Sequence, residues 1–300
     1  MSIKNGYKGI EVEVIQYTKH PAKIMWDMLK QTWISLHEKP YDENDDEIKY
    51  FINESLSKRL NPVPQEAIQI QVVFKHISRV CLAQITRQRG WFFNSESQMP
   101  QATQHEVCVP LNIVNSEYYE EFCELAKKSQ ELYDKMIKGN EKKETTNIPY
   151  QDARYCLLNG QTSTLSASFT LPLFQHCCGQ RLDNNTHDEI NYLCRLIIKE
   201  LRKCVNEDSE MDSLDKYIYN FMLDNCDCFG ANKKVSVCCD AMFGNSYKRY
   251  KDANEYVTLA TEKCLLDYKK LAWTEELKRI AVEEPELLLP DEKEMIDSWK

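Results

Sequence analysis

The hydrophobic pattern switches repeatedly between a period of two and a period near 3.6, which predicts strands and helices in turn. Between Gly9 and Tyr17, Ile10, Val12, Val14 and Gln16 alternate with Glu11, Glu13, Ile15 and Tyr17, predicting a strand that Lys19-His20-Pro21 stops. Over Ala22 to Leu36, Ile24, Met25, Met28, Leu29, Trp33 and Leu36 recur at three- and four-residue steps, predicting an amphipathic helix that has ended by Pro40. The acidic stretch Asp42 to Glu47 reads as a solvated loop or helix start. Alternation around Ile68, Ile70 and Val72 predicts a strand over 65–74, continuing as a helix to Arg89. Asn115 or Ser116 is placed to cap a long helix with Tyr118, Phe122, Leu125, Tyr133 and Met136 as its stripe and Gly139 as its stop. After a lysine-rich connector, Thr162 to Thr170 alternates as a strand, a helix carries His176 to Gln180, and another runs from Asp188 to Val205.

Near Asn206 the pattern changes to an acidic linker, a cysteine-bearing stretch at 226–239, a helix near 254–273 and an acidic tail. The chain therefore divides into a catalytic-sized unit over 1–205 and a mostly helical, cysteine-containing extension over 206–300. With 42% hydrophobic and 28% charged residues and only 8 Gly and 10 Pro, collagen-like and disordered readings are excluded. No run reaches the roughly 18 to 20 apolar residues of a membrane span, and residues 1–8 lack an apolar leader, so neither a membrane anchor nor secretion is expected. A net charge of -9 argues against a broad nucleic-acid surface but leaves room for a local anion pocket. Thirteen cysteines, an odd number without a leader, read as reduced thiols in a cytoplasmic protein.

The densest chemistry lies between Gln84 and Gln98, where Arg87 and Arg89 sit among aromatic and amide groups. Their guanidinium forks match phosphate, and Ser97 adds a hydroxyl donor; the alternative is two surface arginines lying over packed aromatics. Cys226, Cys228, Cys238 and Cys239 could supply thiolates to zinc, although the spacing is unorthodox and buried free thiols are the favoured reading. Cys177-Cys178 reads as packing rather than as a redox pair. The histidines show no metal-ligand spacing, and neither a glycine-rich phosphate loop nor a nucleophile elbow is present.

The spacing Gln84-x-x-Arg87-x-Arg89-x4-Asn94-x-x-Ser97-Gln98 resembles the signature of the flavin-dependent thymidylate synthases, Gln-x-x-Arg-His-Arg followed by Ser-x-Asn-Glu-x-Ser-x-Arg-Tyr. Phe74-Lys-His-Ile-Ser-Arg79, Asp152-Ala-Arg154, and Arg181 with Glu189-Ile190 eight residues on are similar to further family features, so the resemblance covers about 1–200. It implies an α/β (α+β) fold with an antiparallel or mixed sheet and long helices. A homotetramer with sites shared between chains is also implied. The implied reaction is methyl transfer from methylenetetrahydrofolate to C5 of a pyrimidine nucleotide, dUMP giving dTMP, with FAD as cofactor and NADPH as reductant. By position, Gln84, Arg87, Ser97, Gln98 and Arg154 would contact the nucleotide, and Arg87, Gln88, Arg89, Thr170 and His176 the flavin. Arg181 would be catalytic, polarising the base where negative charge develops. Gln88 replaces the motif histidine, Phe92 its serine, Ser95 its glutamate, and Met99-Pro100 its Arg-Tyr. Thr170, Pro172 and His176 stand where the family has Asn, Arg and Asn. These departures leave open a different pyrimidine acceptor, a hydroxymethyl product, or a degenerate member that binds nucleotide without turnover.

Overall fold

The computed structural model describes residues 1–97, 106–142, 148–182, 186–226, 275–289 and 292–293. Six strands and ten helices are described: β1 (Ser2–Asn5), β2 (Glu11–Tyr17), α1 (Pro21–Leu29), α2 (Asp46–Leu56), β3 (Gln69–Ser78), α3 (Arg79–Ile85), β4 (Phe92–Ser95), β5 (Glu106–Val109), α4 (Leu111–Val114), α5 (Tyr119–Lys142), α6 (Tyr150–Ala153), β6 (Thr162–Thr170), α7 (Leu171–Arg181), α8 (Asp188–Glu207), α9 (Ser213–Asp224) and α10 (Glu275–Glu283). The main sheet is antiparallel in the order β2-β3-β6-β4, and β1 and β5 form a separate parallel pair. This is the mixed α/β architecture that the period switching predicts.

Alternation buries one face of the sheet, with Ile70, Val72 and Phe74 of β3 against Leu165, Ala167 and Phe169 of β6. Helices α1, α7 and α8 contribute Trp26, Phe174 and Ile197 to the same core. In β2 Ile15 is exposed on the same face as Glu11 and Glu13, and a bulge between Val14 and Gln16 then reverses the expected parity: Gln16 is exposed, and Tyr17 turns inward to donate to Asp208 Oδ2 at 2.5 Å. The predicted helix over 22–36 is an α-helix only to Leu29. Trp33 then adopts an extended backbone between two short 3-10 turns and packs its ring, tilted, 4.8 Å from Phe51.

Helix α5 corrects two expectations. The Ser116 hydroxyl accepts the Tyr118 N–H at 3.3 Å in the turn that leads into α5, and the helix runs through Gly139 to Lys142. A glycine stops a helix only where the left-handed conformation is used, and inside one it costs about 1 kcal/mol. The buried face is also rotated from the predicted stripe, with Cys123, Ala126, Gln130 and Tyr133 inward and Tyr118, Leu125 and Leu132 exposed.

Beyond residue 205, α9 packs against α1 and α8, and Arg195 of α8 holds the C-terminal segment. The buried Arg195 guanidinium donates to both Glu292 carboxylate oxygens at 2.6 and 2.7 Å, to Asn191 Oδ1 at 2.7 Å and to the Leu287 carbonyl at 3.0 Å. Among the described residues no helix is long and apolar enough to cross a membrane.

Candidate active site

A bulge sets the junction between β3 and α3. The β3–β6 register slips between Phe74 and Ile77, and His76 takes φ 63°, a left-handed conformation costing a non-glycine residue about 1–2 kcal/mol. His76 Nδ1 lies 2.9 Å from Glu106 Oε1. Past the bulge Ile77 and Ser78 are both buried, which aims Ser78 at α8. The Ser78 hydroxyl accepts the Cys81 N–H at 3.0 Å and caps α3. The Ser78 N–H donates to Glu189 Oε1 at 2.6 Å, and its O–H donates to Glu189 Oε2. Glu189 is 1% exposed, and burial pushes its carboxyl up to about 7 against the pull of these two bonds.

Gln84 lies in the last turn of α3, half-buried, while Arg87, Gln88 and Arg89 form the turn beyond it. Gln88 is buried; Arg87 and Arg89 are exposed, and neither guanidinium has a partner among the described residues. Gly90, at φ 78°, passes so close to α7 that a Cβ would lie 2.8 Å from Leu173 Cδ1. Trp91 then stacks 3.9 Å from Phe169 and meets Phe174, tilted, at 6.4 Å. The motif turn is thereby held against the start of α7, where Thr170, Pro172 and His176 lie. There the Thr170 hydroxyl donates to Glu66 at 2.7 Å, and exposed His176 accepts from Gln180 at 3.0 Å.

At the other end of β4 a second group gathers. Ser129 of α5 donates to the Cys156 carbonyl at 2.6 Å, and the Cys156 thiol donates to the Ala153 carbonyl at 3.1 Å, fixing the turn that carries exposed Arg154. Burial and the charge of Arg154 lower the Arg79 pKa, and Glu96 opposes them, so the two guanidiniums are neighbours. Arg79 Nη2 donates to the Glu96 carbonyl at 3.5 Å, while its buried Nε has no partner among the described residues. Exposed Ser97 follows, and Gln98 lies outside the described residues.

Arg181 ends α7, and its charge acts on Cys81 in the first turn of α3 and on His187 beside α8. Arg181 Nε and His187 Nδ1 are both buried without partners among the described residues. Burial lowers the His187 pKa, Asp188 opposes this, and Arg181 adds to it.

The model of the Thy1 family, thymidylate synthase complementing protein, matches residues 13–205. The chain belongs to this family. No curated protein matches it. Among solved structures, a UMP/dUMP methylase PolB from Streptomyces cacaoi bound with 5-Br dUMP is 15% identical, covering 73% of this chain and 97% of that chain at a TM-score of 0.55. The same methylase with 5-Br UMP gives 13% identity, 74% and 97% coverage and a TM-score of 0.54. Thymidylate synthase X from Helicobacter pylori with FAD and dUMP is 17% identical, covering 71% and 99%, at a TM-score of 0.48. At these identities the PolB likeness is one of fold.

Within this Thy1-family chain the sequence-predicted residues fall into separate groups: Arg87, Gln88, Arg89, Thr170 and His176 near one end of β4, Arg154 and Ser97 near the other, and Arg181 beside the start of α8. Sequence reasoning passed over Arg79, Ser78 and Glu189 as site residues. A Ser-Arg pair at a predicted strand-to-helix junction was the available signal. The zinc expectation touches the described residues only at Cys226, which is buried with its thiol donating to the Met222 carbonyl at 3.5 Å; Cys228, Cys238 and Cys239 lie outside them. No group of three His, Cys, Asp or Glu among the described residues is arranged for a metal. Cys177 and Cys178 are buried. A hydrogen bond to Cys194 and burial raise the Cys177 thiol, and burial with bonds to Cys194 and Cys226 raises Cys178, which suits packing rather than reactivity.

Proposed function

We propose that this Thy1-family chain is a flavin-dependent methylase acting at C5 of a uracil nucleotide, dUMP or UMP. Methylenetetrahydrofolate would be the one-carbon donor, NADPH the reductant and FAD the cofactor. The observation that carries the reading is the pair of exposed guanidiniums, Arg87 and Arg89, without partners among the described residues, on one turn inside the segment the family model matches. Two fixed cations on a turn wedged against α7 suit a diphosphate or phosphate, which a guanidinium holds by paired hydrogen bonds.

The residues present fit FAD on the α3 side, where Arg87 and Arg89 would hold its diphosphate and Gln88 lines the turn. His176 extends that surface along α7. Bound flavin supplies the hydride chemistry. The nucleotide's phosphate suits Arg79 and Arg154, whose mutual repulsion is relieved by a dianion and whose buried Nε on Arg79 would gain an acceptor. Gln84 and Ser97 add neutral donors. Arg181 offers a fixed positive charge to the base as C5 becomes nucleophilic, and its orphaned Nε is a donor in waiting. These groups lie at opposite ends of β4, which accords with the resemblance's implication of sites shared between chains. The exposed Leu125 and Leu132 on α5, with exposed Tyr118 just before it, support assembly into the implied homotetramer.

A second reading, a nucleotide-binding member without turnover, is favoured by one observation. The first turn of α7 has little to give a flavin, because the Thr170 hydroxyl is committed to Glu66 and Pro172 has no N–H. The visible absorption spectrum with added FAD, followed by titration with dUMP and with UMP, separates the two. The methylase reading expects bound-flavin bands that shift with one of the nucleotides. Nucleotide binding without flavin binding at saturating FAD would replace it with the second reading.

A further inference from the structure

Glu189 is a buried carboxylate on α8 with no role in the reading above, and it reaches across to a residue 111 positions earlier in the chain. Both of its oxygens accept, one from the Ser78 N–H at 2.6 Å and one from the Ser78 hydroxyl, so this arrangement belongs to the ionised form. No ion-pair partner meets it among the described residues. The groups that sense its charge are neutral: Tyr7 after β1, Cys81 on α3 and Cys108 on β5. Asp188 beside it and Glu276 on α10 add negative charge around the same Tyr7, and Arg181 acts on Cys81 from α7. A buried, uncompensated charge burdens folding, so its retention calls for another explanation. Ser78 is the residue through which it acts: it caps α3 and directly precedes Arg79.

We propose that Glu189 is a positioning residue of the nucleotide site, holding Ser78 and through it the first turn of α3, so that Arg79 stands beside Arg154 ready for the phosphate. This rests on the nucleotide reading above. The substitution Glu189→Gln tests it, because glutamine can accept from the Ser78 N–H but turns a donor on the Ser78 hydroxyl, which already accepts from Cys81. The probes are dUMP and UMP, titrated calorimetrically into the full chain between pH 5.5 and 8.5, with thermal unfolding recorded alongside.

At pH 8 Glu189→Gln is expected to raise the dissociation constant about tenfold with Tm unchanged or higher, since a buried charge has been removed. The wild-type affinity is expected to weaken as pH falls through about 7, where Glu189 takes up a proton. That step should be absent from Glu189→Gln, while the titration of the nucleotide phosphate itself persists in both. In Ser78→Ala/Glu189→Gln the two losses should be less than additive, because both substitutions cut one path. A variant that binds as wild type at every pH overturns the inference and leaves the nucleotide reading standing. So does a variant whose Tm falls while its affinity holds, which is the mark of a purely structural role. Failure of the wild-type chain to bind either nucleotide overturns both.

Discussion

Helix α8 buries two charges and handles them by opposite means. Glu189, in its first turn, meets only the neutral donors of Ser78, while Arg195, further along, meets the Glu292 carboxylate in a two-pronged pair and satisfies its remaining bonds with Asn191 and Leu287. Both side chains are about 1% exposed. The paired charge is a latch, holding the C-terminal segment on the helix. The unpaired one is left sensitive to its surroundings, with a carboxyl pKa of about 7 at the junction that feeds the candidate site. A buried charge is thus accommodated, and ties elements together, where its counterion is also buried, and is sensitive to pH where it is not.

Cutting the latch should have the largest effect. Glu292→Ala strands the Arg195 guanidinium in the core, and loss of one partner from a buried pair costs about 3–5 kcal/mol. Urea unfolding should register that loss, and the double substitution Arg195→Met/Glu292→Leu should restore most of it, since an apolar pair carries no desolvation cost. If the single variant loses less than about 1 kcal/mol, water reaches Arg195 and the contrast with Glu189 collapses.

The second effect is the pH dependence of the unpaired charge. The folded-state pKa of Glu189 is raised from about 4.5 to about 7 by burial, so the folded protein holds this proton more tightly than the unfolded chain. Its contribution to stability is therefore complete below about pH 4.5 and is lost as pH rises through about 7. Burial raises the pKa of Asp215 and Glu276 in the same direction and lowers that of His187, so the raw profile mixes these groups. The difference in unfolding free energy between wild type and Glu189→Gln isolates the one group. That difference should move in favour of the variant between pH 6 and pH 8, and a flat difference would mean that Glu189 titrates as an ordinary carboxyl.

The same contrast explains what was legible in the sequence. Local periodicity reads well: β6 occupies Thr162–Thr170 as the alternation predicts, and α8 begins at Asp188. Within the motif, Arg87, Gln88 and Arg89 share one turn as their spacing suggests, whereas β4 carries Ser97 away to the other end of the strand. Parity breaks are invisible to local periodicity, because the bulges at Ile15 and His76 answer to cross-strand register rather than to neighbouring residues. On α5, Leu125 looks like core and is exposed, because which stripe faces inward depends on β5 and the turn carrying Arg154. Glu189–Ser78, Arg195–Glu292 and Arg79 beside Arg154 are long-range pairs. In sequence each member resembles a solvated charge on a helix or an ordinary cap, and only the tertiary fold matches it to its partner.

A third carboxylate arrangement, at the start of α9, lies between the two extremes and should show the smallest effect. Asp212 caps α9 by accepting the Asp215 N–H at 2.8 Å, and also accepts the Tyr41 hydroxyl at 2.8 Å. Asp215 returns the bond to the Asp212 N–H at 3.4 Å and accepts the Ala22 N–H at 2.9 Å, which ties α9 to α1. The helix N-terminus supplies partial positive charge, so Asp212 is accommodated there without a buried arginine. Asp212→Ala removes one cap and frees one tyrosine hydroxyl at a half-buried position, and should lower stability by about 1 kcal/mol. Asp212→Asn keeps an acceptor for the Asp215 N–H and turns an amide NH2 toward the Tyr41 hydroxyl, which can accept it, and so should recover most of that loss. Urea midpoints of the two variants provide the check, and equal losses would show that the charge, rather than the cap, holds α9 in place.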